Sequence, residues 1–146
     1  AWFAALQHNS KRLFLIFFQD GRPIGVLNFS IIADGVLEWG CYLGETDVWP
    51  GSGLLLEIAA LDYAASDKTA HTLYAEVLSF NQSVIKMHQL FGYQPMPDKP
   101  GATREHEAYQ VKVFEYPLSA WRNNREAILA KLPKQIAAAA ARIKFY

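Results

Sequence analysis

A chain of 146 residues suits one domain with a single core, and 51% hydrophobic with 14% aromatic residues excludes a disordered chain. Fourteen Lys and Arg balance 14 Asp and Glu, so no net field directs the protein to nucleic acid or to an anionic membrane surface. One cysteine, Cys41, excludes an internal disulfide and a zinc site of cysteines; it reads as a small apolar filler in a strand of a protein kept in a reducing compartment.

In chain order, Trp2 to Gln7 reads as the end of a helix and His8, Asn9 and Ser10 as the polar break after it. That opening lacks the charged start of a signal peptide, and no run approaches the roughly 18 apolar residues that span a bilayer. A cytoplasmic protein is the expectation. Because the first residues already lie in an apolar segment, an element before them is expected to be missing. Arg12 to Gln19 is apolar on both alternating faces, as in an interior strand covered on both sides. Asp20-Gly21 turns the chain, Pro23 to Ile32 is a second strand, Asp34-Gly35 a second turn, and Val36 to Leu43 a third strand. Together they predict an antiparallel meander.

The meander runs into Val48-Trp49-Pro50-Gly51-Ser52-Gly53 and then the apolar stretch Leu54 to Ser66. Glycines one residue apart allow a tight turn and close approach of a ligand, and the helix that follows presents unpaired N–H groups and the positive end of its dipole. That pattern suits a phosphate or pyrophosphate. A dinucleotide fingerprint would need a glycine where Leu56 stands, and a P-loop would need its Lys-Ser/Thr pair. Pro50 stands where a nucleophile elbow needs glycine. An ordinary Pro-Gly turn into a helix is the alternative reading.

Leu54, Ile58, Leu61 and Ala65 form one stripe, with Glu57, Asp62 and Ser66 largely off it, which predicts a helix packed on a sheet. Leu73 to Leu78 is the next strand, and Ser83 to Phe91 the next helix, with Asn81 at its start and Gly92 at its end. Pro95 to Thr103 reads as loop, and Tyr109 to Tyr116 as a closing strand ended by Pro117. From Arg125 the chain is helical, broken at Pro133, with an alanine run from Ala137 to Ala141 of high helix propensity and weak packing value. The expected division is a domain over 1–124 and a helical extension over 125–146.

This order resembles the GCN5-related N-acetyltransferase (GNAT) superfamily. Its cradle reads Arg/Gln-x-x-Gly-x-Gly/Ala, matched here by Gly51-Ser52-Gly53 with Val48 in the first position. Its later signature, Asn-x-x-Ala-x-x-Leu-Tyr-x-x-x-Gly-Phe, appears as Asn81 to Tyr93, with Val84, Met87, His88 and Gly92 in register. The resemblance covers about Trp2 to Trp121. It implies an α/β (α+β) acyl-CoA N-acyltransferase fold: a mixed, mostly antiparallel sheet with helices on both faces, here without the usual first strand. Trp39 to Leu43, Ala59 to Ala64, Leu73 to Val77 and Tyr109 to Trp121 look most like the branch that acetylates nucleotide-linked amino sugars, as in the pseudaminic acid pathway that serves flagellin glycosylation.

The resemblance further implies acetyl-CoA as co-substrate and direct attack of an amine on its thioester. Tyr42, Leu43, Val48, Trp49, Pro50, Gly51, Ser52, Gly53, Leu54, Asn81 and Ser83 are the coenzyme-binding candidates. His88 stands where many relatives carry the tyrosine that protonates the departing thiolate. Its competing reading is a hydrogen-bonded core residue beside Val84 and Phe91. Glu38 is the base candidate, and Glu76 reads rather as a structural ion pair. His71 and His106 are read as solvated, while Trp39, Tyr42, Trp49, Tyr109 and Trp121 are core by default. The expected partner is a small-molecule amine, with no nucleic acid, membrane or metal, and a homodimer stays open. Acetylation of a protein amino group and noncatalytic acyl-CoA binding remain the alternatives.

Overall fold

The computed structural model describes residues 12–43, 51–104 and 107–145, so the helix expected before His8 lies outside the described residues. The meander forms as expected. Strands β1 (Arg12–Gln19), β2 (Arg22–Ala33) and β3 (Val36–Leu43) pair antiparallel in turn. The turns hold a left-handed backbone, with φ of 52° at Asp20, 76° at Gly21 and 75° at Gly35.

Helix α1 (Ser52–Ser66) follows, then β4 (Thr72–Leu78), α2 (Gln82–Phe91), β5 (Gln94–Arg104), β6 (Glu107–Pro117), α3 (Leu118–Leu129) and α4 (Lys134–Ala140). Gly92 closes α2 in the left-handed conformation, with its N–H on the carbonyls of His88 and Gln89. The described strands form one six-stranded sheet in the order β1-β2-β3-β4-β6-β5. Only β3 and β4 run parallel, joined by α1.

Four expectations change. β1 is an edge strand of the described sheet, not an interior one. Leu15 and Phe17 pack on the core, while Ile16 and Phe18 are exposed. An unbroken apolar run cannot by itself distinguish burial on one face from burial on two. The stretch expected as loop from Pro95 to Thr103 is strand β5, whose register on β6 slips between Met96 and Lys99 and again between Pro100 and Thr103. Prolines lack a ladder donor and are tolerated on such an irregular edge.

The last helical region starts at Leu118 rather than Arg125, so α3 runs unbroken across position 125. Pro117 sits at its cap, Leu118 and Trp121 are buried, and Arg125 fastens it to α1 through Nε to Asp62 Oδ1 (2.9 Å) and Nη2 to Asp62 Oδ2 (3.0 Å). The alanine run also packs. Ala139 and Ala140 are buried, small side chains that let α4 close on α1.

The described helices gather on the sheet face that carries Leu37, Trp39, Leu73, Ala75, Phe114 and Tyr116. At their centre α1 is buried on nearly every side, including Glu57, which the stripe had placed off the packed face. Among the described residues, no helix is long and apolar enough to cross a membrane.

Candidate active site

The parallel ladder between β3 and β4 is short. It joins Val36 to Thr72, Leu37 to Leu73 and Glu38 to Tyr74, and then the strands part. Beyond that point β3 stays paired with β2 and β4 with β6. The β4-facing backbone groups of β3 after Glu38 therefore have no strand partner among the described residues. A ligand carrying amides can complete such a ladder.

The start of α1 follows the end of β3 in the chain. Gly51 holds φ 85°, and no side chain among the described residues makes a cap hydrogen bond to the helix. A Cβ on Gly51 would lie 2.5 Å from Ile136 Cδ1, and one on Gly53 would lie 3.3 Å from Met87 Sδ. Both glycines are thus used for close approach of other groups. Leu54 donates its N–H to the Gly51 carbonyl at 2.9 Å, so Leu54 is bound within the turn rather than offered to a ligand. The Ser52 side chain is buried, its Oγ accepting from Gln19 Nε2 at 2.7 Å, which leaves only its backbone to face the cradle. Val48, Trp49 and Pro50 lie outside the described residues, as does the side chain of Leu43.

At the start of α2, Asn81 is exposed and makes no side-chain cap bond. Ser83 Oγ reaches Asn81 Oδ1 at 3.4 Å, and both side chains remain accessible.

His88 is 2% exposed, on the side of α2 that faces α1. Its Nδ1 is hydrogen-bonded to Glu57 Oε1, and its ring stacks on Tyr93 with centroids 4.6 Å apart. Phe114 meets the ring edge-on at 5.3 Å, and Trp39 lies 5.8 Å away. Glu57 is 2% exposed, and burial pushes its carboxyl above the usual range, with the bond to His88 opposing that shift. Glu57 was not among the sequence candidates. The signal was a lone acid inside Leu54 to Ala60, but the stripe left it off the packed face.

Glu38, at the last rung before the strands part, projects from the opposite face and is half-buried. Burial first, and then the charge of Glu76, raise its proton affinity, while Lys99 and Arg12 lower it. Glu76 is held as an ion pair: Lys99 Nζ donates to Oε2 at 2.7 Å and Tyr74 Oη at 2.6 Å. Those two bonds hold its carboxyl below the ordinary value. Tyr42, on the same face, is 69% exposed and so not the core residue expected by default.

The remaining candidates fall away from the gap. His71 is at the far end of β4, bonded to Thr72 Oγ1 at 2.8 Å, and His106 and the side chain of Tyr109 lie outside the described residues. Trp39 Nε1 donates to Tyr93 Oη and Trp121 Nε1 to Asp62 Oδ1, both at 2.9 Å, so each indole is satisfied within the core. Cys41 keeps some accessible surface, yet enough protein crowds its thiol to push it up to about 11, too high for a resting thiolate nucleophile. Among the described residues, no group of His, Cys, Asp and Glu could hold a metal ion.

No family model matches the chain. Over 83 residues it is 35% identical to the acetyltransferase PseH of Campylobacter jejuni, a stretch that is 57% of this chain and 51% of the relative. The chain thus spans about half the length of the curated relative it matches. Solved structures superpose more widely. A spermidine N-acetyltransferase from Vibrio cholerae, 16% identical, aligns with a TM-score of 0.75 over 85% of this chain and 76% of its own. The acetyltransferase yncA from Salmonella typhimurium, solved with acetyl-CoA as its cofactor, is 19% identical and aligns with a TM-score of 0.67 over 80% and 70%. The chain shares the fold of these acetyltransferases. In that fold the parted strands precede the start of α1 in the chain, and Glu38 and His88 lie on opposite faces of the sheet.

Proposed function

We propose that the protein is an acetyl-CoA-dependent N-acetyltransferase acting by direct attack of a neutral amine on the thioester. The observation that carries this reading is the parting of β3 from β4 after Glu38, followed in the chain by a helix start that no side chain among the described residues caps. The uncapped amides around Gly51 and Gly53 suit a pyrophosphate, and the unpartnered edge of β3 suits the amides of a pantetheine arm.

The residues divide the work. Holding donor and amine in line supplies on the order of 7 to 11 kcal/mol in the best cases. Backbone N–H of β3 near Tyr42 and Leu43 polarises the thioester oxygen. Glu38 takes the proton of the attacking amine, directly or through water, and its raised proton affinity suits a base. As the new C–N bond forms and the C–S bond breaks, His88 gives the departing sulfur a proton.

The acceptor we infer is a nucleotide-linked 4-amino-4,6-dideoxy sugar. The residue patterns shared with the amino-sugar branch and the match to PseH support it. Assaying coenzyme A release against amino-sugar nucleotides, polyamines and peptides tests both levels. Turnover confined to the sugar nucleotides is the expected result. Turnover on peptides would move the acceptor to a protein amino group, and tight acetyl-CoA binding with no transfer to any amine would leave a noncatalytic acyl-CoA-binding module.

A further inference from the structure

The Glu57 and His88 pair is costly to bury. Both residues are 2% exposed, and Glu57 Oε2 is buried with no hydrogen-bond partner among the described residues. A buried carboxyl with an orphaned oxygen is disfavoured, and an apolar side chain would avoid that penalty. The ring is also immobilised. Tyr93 covers one face, Phe114 abuts the edge, Trp39 closes from β3, and Nδ1 is committed to Glu57. Nε2 makes no hydrogen bond among the described residues and is the nitrogen left to act.

The pair also lies where a leaving group would arrive. Trp39 is the first residue of β3 past the last rung with β4, and Cys41, two residues on along the same face, feels the Glu57 charge. The carboxyl and imidazole therefore sit beneath the parted strands, on the helix side of the sheet. The titratable groups facing them are Cys41 on β3, Tyr93 before β5 and Tyr116 on β6, all pushed upward by burial and so neutral at pH 7. None of these supplies a competing charge.

We propose that Glu57 is a positioning residue that fixes the tautomer of His88 and holds, with it, the proton that the leaving sulfur takes up. This rests on the acetyltransferase reading above. At rest the pair carries two protons, one in the hydrogen bond between Oε1 and Nδ1 and one on Nε2. When the C–S bond breaks, Nε2 gives its proton to sulfur and the other proton stays on Nδ1. An S–H bond forms, the pair is left as carboxylate and neutral imidazole, and a proton from solvent, matching the one released by the amine, restores it. A tyrosine at position 88 would have one proton and no store behind it. The histidine with its acid partner is this chain's substitute.

Kinetics of Glu57→Gln, Glu57→Asp and His88→Phe, with imidazole ¹⁵N spectra of the unaltered protein, test the proposal. Glu57→Gln is expected to lower kcat on the order of 10- to 100-fold. It should leave the KM for acetyl-CoA within about twofold and move the alkaline limb of the kcat profile to lower pH. Glu57→Asp should recover part of both changes. The unaltered protein should show a proton on Nε2 at pH 7 and a second on Nδ1 in the bond to Glu57; an unprotonated Nε2 would overturn the proposal even if the variants fail to fold. A wild-type pH profile in Glu57→Gln, with kcat lost in His88→Phe, would overturn the role of Glu57 and leave the acetyltransferase reading standing. Full turnover in His88→Phe would remove the acid itself.

Discussion

Ile136 on α4 fills the space where a side chain on Gly51 would begin, with its Cδ1 2.5 Å from that Cβ position. The last described helix thus props the turn that opens α1, although 85 positions separate the two residues. Gly51→Ala must adopt φ 85° and displace Ile136, and is expected to cost about 2 kcal/mol. Gly53→Ala meets only the flexible end of Met87 and should cost less than about 1 kcal/mol. Urea denaturation of the two variants checks the order.

Ile136→Ala removes the prop from the other side. The residue is 5% exposed, so its truncation is expected to cost about 2 to 4 kcal/mol. If α4 shapes the cradle, the Kd for acetyl-CoA should also rise at temperatures where the variant stays folded. Calorimetric titration measures this, and unchanged affinity would separate the tail from coenzyme binding.

Lys99→Met tests the base. Lys99 lowers the proton affinity of Glu38 directly and also neutralises Glu76, whose charge raises it. Removing the ammonium therefore raises the Glu38 pKa by both routes, so the acid limb of kcat/KM should move to higher pH. Glu38→Gln should lower kcat on the order of 10²- to 10⁴-fold. An acid limb unmoved in Lys99→Met would place the base elsewhere.

Stability should carry the mark of the buried pair. Glu57→Leu or His88→Leu alone leaves one polar partner stranded and is expected to cost about 3 to 5 kcal/mol, while the double variant regains most of it. The sign with pH follows from burial. Because the folded protein holds the Glu57 proton more tightly than the unfolded chain does, its contribution is present below the ordinary glutamate value and lost as pH rises through the folded one. Glu57→Gln should therefore melt with less pH dependence than the unaltered protein across that range.

The sequence made the frame of the site legible where local rules dominate. Val36 to Leu43 alternates cleanly, Gly92 closes a helix as only glycine does readily, and Gly51 marks a backbone that other residues resist. It misled where tertiary context decides. β5 carries three prolines that argue for loop, yet an irregular edge on β6 accepts them. Glu57 falls off a stripe drawn for a helix with one packed face, while α1 is covered by the sheet and three other helices. His88 had two readings in sequence, and the partner that makes both relevant at once lies 31 positions away.

Under the proposed function, backbone amides at the start of α1 receive the coenzyme diphosphate. Titrating coenzyme A into glycine-¹⁵N-labelled protein and following the Gly51 and Gly53 amides measures this directly. Both resonances should move together and saturate with the binding curve, and an acetyl-pantetheine lacking the diphosphate should leave them in place. Saturation with coenzyme A while both amides stay unmoved would contradict the account.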